Sequence, residues 1–147
     1  MISIITFVLG VLYANAIEYI VHRYLFHGLG RKRNSIFAFH LREHHLVAKR
    51  NEFIDKKISN NEIIGIPLIL AAHIPIIFFA PYFYIAASLY GIAFILVHNI
   101  IHRNPGIAQK YFWWHWNHHM SNQNKSWAVV VPILDKITGS LEPKESK

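Results

Sequence analysis

The sequence predicts an all-α integral membrane protein: about three transmembrane helices, with a cytosol-facing cap of shorter helices that holds a histidine-rich dimetal site. Three observations carry this expectation. Three apolar stretches approach the length of a bilayer crossing. All 15 Lys and Arg residues fall on one side of the resulting topology. Ten of the 11 histidines gather in four short clusters that this topology brings to one level.

The first apolar stretch, Met1 to Ile17, carries no charge, and its apolar character continues past Glu18 to about Phe26. It predicts a membrane helix over about 2–25. It does not read as a cleavable signal peptide, because it lacks a basic leader and Glu18 and a histidine stand where a small-residue cleavage site belongs. A polar arm follows over 28–62. It opens with "GLGRKRN", a loop signal, and continues in "SIFAFHLREHHLVAKR", where Ser35 is the candidate N-cap of a helix running through Arg50.

A membrane hairpin over 63–101 comes next. Ile63 to Ala80 has His73 as its only strongly polar side chain, and Tyr82 to Val97 has Ser88 as its only hydroxyl apart from tyrosines. At about 1.5 Å per residue each stretch approaches the ~30 Å hydrocarbon thickness. Pro81 marks the turn between them. Asn104-Pro105-Gly106 ends the third membrane helix. A helix from about Ile107 to Met120 is expected to lie along the interface, "SNQNKS" to form a loop, and "WAVVVPILDKITGS" to run extended before a turn or brief helix over Pro132 to Gly139. With no internal repeat, residues 1–147 read as a single domain.

Composition narrows the chemistry. The absence of cysteine excludes disulfides, Cys-zinc sites, iron–sulfur ligation and thiolate haem. The net charge of +7 is accounted for by topology: with the N-terminus outside, every basic residue from Arg23 to Lys147 lies inside, as the positive-inside rule expects. The basic balance therefore calls for no nucleic-acid partner.

The four clusters are "HRYLFH" (His22, His27), "HLREHH" (His40, His44, His45), "HNIIH" (His98, His102) and "HWNHH" (His115, His118, His119). Residues three or four apart share a helix face, which aligns His40 with His44, His98 with His102, and His115 with His118 and His119. His27, five after His22, suits a ligand just beyond a helix end. One ion takes at most about six ligands, so ten imidazoles exceed one metal and match two with about five each, leaving room for an exogenous ligand. Structural zinc closes at four. His73 stands alone in the second membrane stretch and reads as a hydrogen-bonded packing residue outside the metal set.

These boxes resemble the fatty acid hydroxylase superfamily, which includes sterol desaturase-like enzymes and carotenoid ring hydroxylases, over roughly residues 18 to 140. The resemblance implies a histidine-ligated di-iron oxygenase of the membrane that activates O2 and hydroxylates a lipid C–H bond, fatty acyl or sterol-like. Its metal ligands would be His22, His27, His40, His44, His45, His98, His102, His115, His118 and His119. Its cofactors would be two iron ions, with zinc as a replacement in purified protein. Its partners would be a lipid from the bilayer and a separate electron donor of ferredoxin or cytochrome b5 type. The location would be the bacterial inner membrane or the endoplasmic reticulum, with the site on the cytoplasmic side. The second box departs from the commoner pattern by one residue, and an Asn-aromatic-Gly stretch is missing after the last box.

Two ferrous ions bring four positive charges that neutral imidazoles do not offset, so carboxylates are expected nearby. Glu18, four residues before His22 on the same helical face, is the candidate for orienting that ligand; Glu43 is a weaker one beside a solvated face. Asn99, Asn117 and Asn122 default to polar surface, and Arg23 and Arg103 to anchors at the inner leaflet. Trp113, Trp114 and Trp116 read as interfacial anchors, with a second reading as lining for a lipid tunnel. The alternatives carried forward are a carotenoid ring hydroxylase of the same fold and, from another class, a non-catalytic metal-binding membrane protein.

Overall fold

The structure, a computed structural model, describes residues 2–56 and 60–144. The expected polar arm over 28–62 takes in residues 57–59, and the expected domain of 1–147 also takes in Met1 and 145–147; those positions lie outside the described residues. All regular elements among the described residues are helical.

Helix α1 (Ile2–Ile20) runs without a break into a π-helical segment, Val21–Phe26, and a 3₁₀ turn, Leu29–Arg31. A second π-helical segment, His40–His45, leads into α2 (Leu46–Arg50). Ser35 precedes this helical stretch and its Oγ accepts from the Phe37 N–H at 3.1 Å. Helix α3 (Asn60–Ala72) and a 3₁₀ segment, Ile74–Phe78, precede the long α4 (Pro81–Arg103). Three short helices close the chain: α5 (Pro105–Tyr111), α6 (Trp113–Met120) and α7 (Ile133–Thr138).

Two helical stretches are long and apolar enough to cross a membrane, Ile2–Arg31 and Pro81–Arg103. Their outer faces expose Ile4, Ile5, Val8 and Leu9 on one and Ile85, Leu89, Ile92 and Leu96 on the other. A water-facing surface rarely carries so long an apolar stripe; acyl chains accept it. The inner faces meet closely. A Cβ at Gly10 would lie 2.4 Å from the Phe83 carbonyl oxygen and 2.9 Å from the Ala86 Cβ, so only glycine permits this approach of α1 to α4.

The expected second crossing, Ile63 to Ala80, is not one helix. Helix α3 stops at Ala72, and the chain turns at His73 into the 3₁₀ segment. Pro75 has no N–H to continue the α-helical ladder and favours the first turn of a new element. Thirteen residues of α-helix reach only about 20 Å, short of the hydrocarbon thickness. The expected helix over 107–120 is likewise two, because Phe112 leaves the helical region at φ −128°, ψ 39°. Pro81 begins α4 as expected, and the 127–139 stretch runs extended before α7, which ends on Gly139 at φ 70°.

The apolar core lies beside the membrane-helix ends rather than within them. Phe53, Ile101, Ala108 and Val129 are its centre, with Phe94, Val97, Phe112, Trp116 and Met120 packed against it. Arm, α4, α5 and tail thus share one small core, which fixes how the histidine-bearing segments converge.

Candidate metal centre

The ten clustered histidines are all buried, and they sort into two groups of five. His22, His27, His40, His45 and His118 form one; His44, His98, His102, His115 and His119 form the other. Within each group one ring nitrogen per residue lies within 4.8 Å of all the others. The groups adjoin, with His45 stacked on His119 at a centroid distance of 4.0 Å.

Local helix geometry decides the sorting. His22 and His27, like His40 and His45, are five residues apart, a spacing an α-helix would splay. Both pairs sit on π-helical turns, whose i→i+5 bonding returns residue five to the same face; the His27 N–H donates to the His22 carbonyl at 3.0 Å. The expected alignment of His40 with His44 is corrected accordingly: the π-turn joins His40 to His45 and sends His44 to the other group. The last cluster also divides. His115 and His119, four apart on α6, join the second group, and His118 turns to the first.

Each group is oriented by its own loop. In the first, the His22 Nδ1 bonds to the Trp127 carbonyl and the His118 Nδ1 to the Lys125 carbonyl at 2.7 Å. In the second, the His102 Nδ1 bonds to the Phe53 carbonyl at 2.9 Å and the His44 Nδ1 to an Asp55 carboxylate oxygen at 2.9 Å. These oxygens only accept, so the protons sit on Nδ1 and the Nε2 atoms point inward as lone pairs. They face other ring nitrogens across 2.9 Å (His22–His40), 3.1 Å (His118–His27), 3.1 Å (His44–His98) and 3.2 Å (His102–His115). Neither buried ring nitrogen of His119 has a hydrogen-bond partner among the described residues. Converging lone pairs and an orphaned imidazole fit a cation at the centre of each group.

The electrostatics agree. Burial, reinforced by the neighbouring imidazoles, holds His40, His45, His115, His118 and His119 well below the usual imidazole range. Rings that stay neutral near pH 7 are the form that ligates.

Sequence reasoning missed both orienting loops. Phe53 is fully buried at φ 80°, a left-handed conformation that is strained for a bulky side chain. Its ring stacks on His102 at 4.3 Å while its carbonyl holds the same residue's Nδ1. In sequence it is one aromatic between Glu52 and Ile54, with no signal for this role. Asp55 pairs with His44, as carboxylates commonly do behind ligating histidines. We expect Asp55→Ala to weaken metal binding about 10–100-fold, measured by competition with a chelator; unchanged retention would remove Asp55 from the centre.

Glu18 is buried, but its hydrogen bonds run to the Tyr90 hydroxyl at 2.5 Å and to the backbone N–H groups of Val129 at 2.5 Å and Val130 at 3.3 Å. It therefore pins the tail segment whose Trp127 carbonyl orients His22, one step further back than expected. Glu43 is exposed. Asn99 and Asn117 donate to the backbone carbonyls of Ile95 and Pro143, and the Asn122 side chain accepts from the Asn124 N–H. Trp116 packs on Phe53, and Trp114 donates to the Val129 carbonyl at 3.1 Å.

A cavity of about 150 Å³ runs from the histidines between α1, α3 and α4. His22, His40 and His98 line it at the metal end, so both groups contribute to its wall. None of the tryptophans of α6 lines it; its walls are aliphatic and phenyl side chains of the membrane helices, with few polar groups.

No curated protein and no solved structure matches the chain. A family model described as fatty acid hydroxylase matches residues 7–140, a span that contains every one of the ten histidines and both orienting loops. With that match over most of its length, and with two buried histidine groups that could each hold a metal ion, the chain belongs to the fatty acid hydroxylase family.

Proposed function

We propose that this protein is a membrane-bound di-iron oxygenase that hydroxylates a C–H bond of a lipid, fatty acyl or sterol-like, with O2 and external electrons, in lipid biosynthesis. The observation that carries the reading is the pair of five-histidine groups opening together on one apolar cavity. His22, His27, His40, His45 and His118 would hold one ion, and His44, His98, His102, His115 and His119 the other. Iron bound there supplies reduction of O2: one oxygen atom enters the C–H bond, the other leaves as water, and the donor provides two electrons with two protons.

The chain's own part is placement. The cavity receives an apolar chain and keeps bulk water from the reacting end. The Trp127, Lys125 and Phe53 carbonyls and the Asp55 carboxylate hold the Nδ1 protons, so that each Nε2 would be free to face a bound metal. Five imidazoles holding each ion would leave room for an exogenous ligand such as O2, which a closed zinc staple would not. A non-catalytic metal carrier has no use for the cavity. The electron donor, of ferredoxin or cytochrome b5 type, would meet the basic cytoplasmic face of a bacterial inner-membrane or endoplasmic-reticulum protein.

The test is expression in a host fed defined lipids under labelled O2. Purified chains should carry about two metal ions, iron or zinc in its place, and extracted lipid should gain one labelled oxygen atom. Lipid without labelled oxygen, from protein holding two irons and supplied with reductant, would refute the reading.

A further inference from the structure

The histidine outside both metal groups lies on the wall of the same cavity, at the end away from the metals. His73 sits at the break between α3 and the 3₁₀ segment, and Tyr13 faces it from α1. Both line the cavity. The His73 Nδ1 lies 2.7 Å from the Ile69 carbonyl oxygen, and the His73 Nε2 lies 2.7 Å from the Tyr13 hydroxyl.

The direction of these bonds follows from the acceptor. A carbonyl cannot donate, so Nδ1 carries the proton and a neutral ring offers a lone pair at Nε2. The Tyr13 hydroxyl must then give its only proton to His73. What Tyr13 has left is oxygen lone pairs, so toward the cavity it can accept a hydrogen bond but not donate one. Tyr13 lies nine residues before His22, about 13 Å along α1 and the π-helical segment that continues it. The cavity joins the two ends, with walls that are almost wholly apolar between them.

We infer that the far end of the cavity selects lipids bearing a hydroxyl group, which donates its hydrogen bond to Tyr13 while a distant carbon of the same chain lies at the metals. This rests on the hydroxylase reading only for the identity of that second end. Ethers, esters and ketones, which offer acceptors alone, would face the Tyr13 oxygen with no proton between them and lose the contact.

The test uses the full chain in detergent, with radiolabelled hexadecan-1-ol and its methyl ether as probes and equilibrium binding of the label as the readout. The alcohol should bind about tenfold more tightly than the ether, and Tyr13→Phe should abolish that difference while metal content stays at the wild-type level. His73→Ala frees the Tyr13 proton, so it should raise ether binding to about the level of the alcohol. Equal binding of the two probes to the unaltered chain, or a preference that survives Tyr13→Phe, would overturn the inference. Binding needs no turnover, so the alcohol preference stands or falls apart from the oxygenase reading. Labelled oxygen appearing equally in hexadecane and hexadecanol would sink the hydroxyl site and leave the oxygenase intact.

Discussion

His118→Ala and His119→Ala, at neighbouring positions on one helix, are expected to empty different metal sites. Each single variant should hold about one ion per chain, because the structure gives His118 to the group of His22 and His119 to that of His102. Paired substitutions make the distinction sharp. His118→Ala with His27→Ala removes two ligands from one group and should still leave about one ion. His118→Ala with His119→Ala removes one ligand from each group and should leave almost none. Simple misfolding would treat the two pairs alike, whereas two separate sites make their effects non-additive in a defined pattern. Lipid oxidation should fall at least about 100-fold in all four, since metal-supporting partners alone are worth 10–100-fold. Metal analysis of detergent-purified protein is the measurement, and equal metal content in the two double variants would reject the two-group assignment.

Asp135→Ala should both destabilise the protein and damage one metal group. Asp135 is fully buried and far in sequence from every ligand, yet it accepts from the N–H groups of Trp127 at 2.9 Å and Ala128 at 2.8 Å and from the Ser140 hydroxyl at 2.7 Å. Removing the carboxylate strands two buried backbone donors, each costing about 1–3 kcal/mol, so a loss of about 4 kcal/mol is expected. The Trp127 carbonyl then no longer holds the His22 ring, and the ion in that group should go first. Thermal unfolding followed with metal content would show a clear fall in Tm and a count near one. A Tm within a degree of the parent would mean that the tail does not brace the centre. Asp135→Asn, which keeps one acceptor oxygen and the shape, should fall between the two.

The sequence by itself determined the composition of the site. Ten histidines stood out against the lone His73 because a helical chain repeats functional faces every three to five residues. The uncharged length of the first and third apolar stretches announced α1 and α4. The end of α4 at Asn104-Pro105-Gly106 and the brief α7 closing at Gly139 were legible too, but not the break between α5 and α6 at Phe112.

What only the tertiary structure decided is which histidine serves which group, and what holds it there. The five-residue spacings of His22/His27 and His40/His45 need a π-turn, a small and costly departure that α-helical periodicity does not announce. Phe53, Asp55 and the Trp127 carbonyl act through contacts between positions 49, 11 and 105 residues apart, the last between His22 and Trp127. Glu18 was visible as a buried acid near a ligand, but its partners, Tyr90 and the Val129–Val130 backbone, come from α4 and the tail. The break of the second apolar stretch at His73 was not legible, because hydropathy counts apolar residues without asking whether Pro75 can continue their hydrogen-bond ladder. Residue chemistry and local period are written along the chain; the direction of a hydrogen bond between distant segments is set only when packing brings donor and acceptor together.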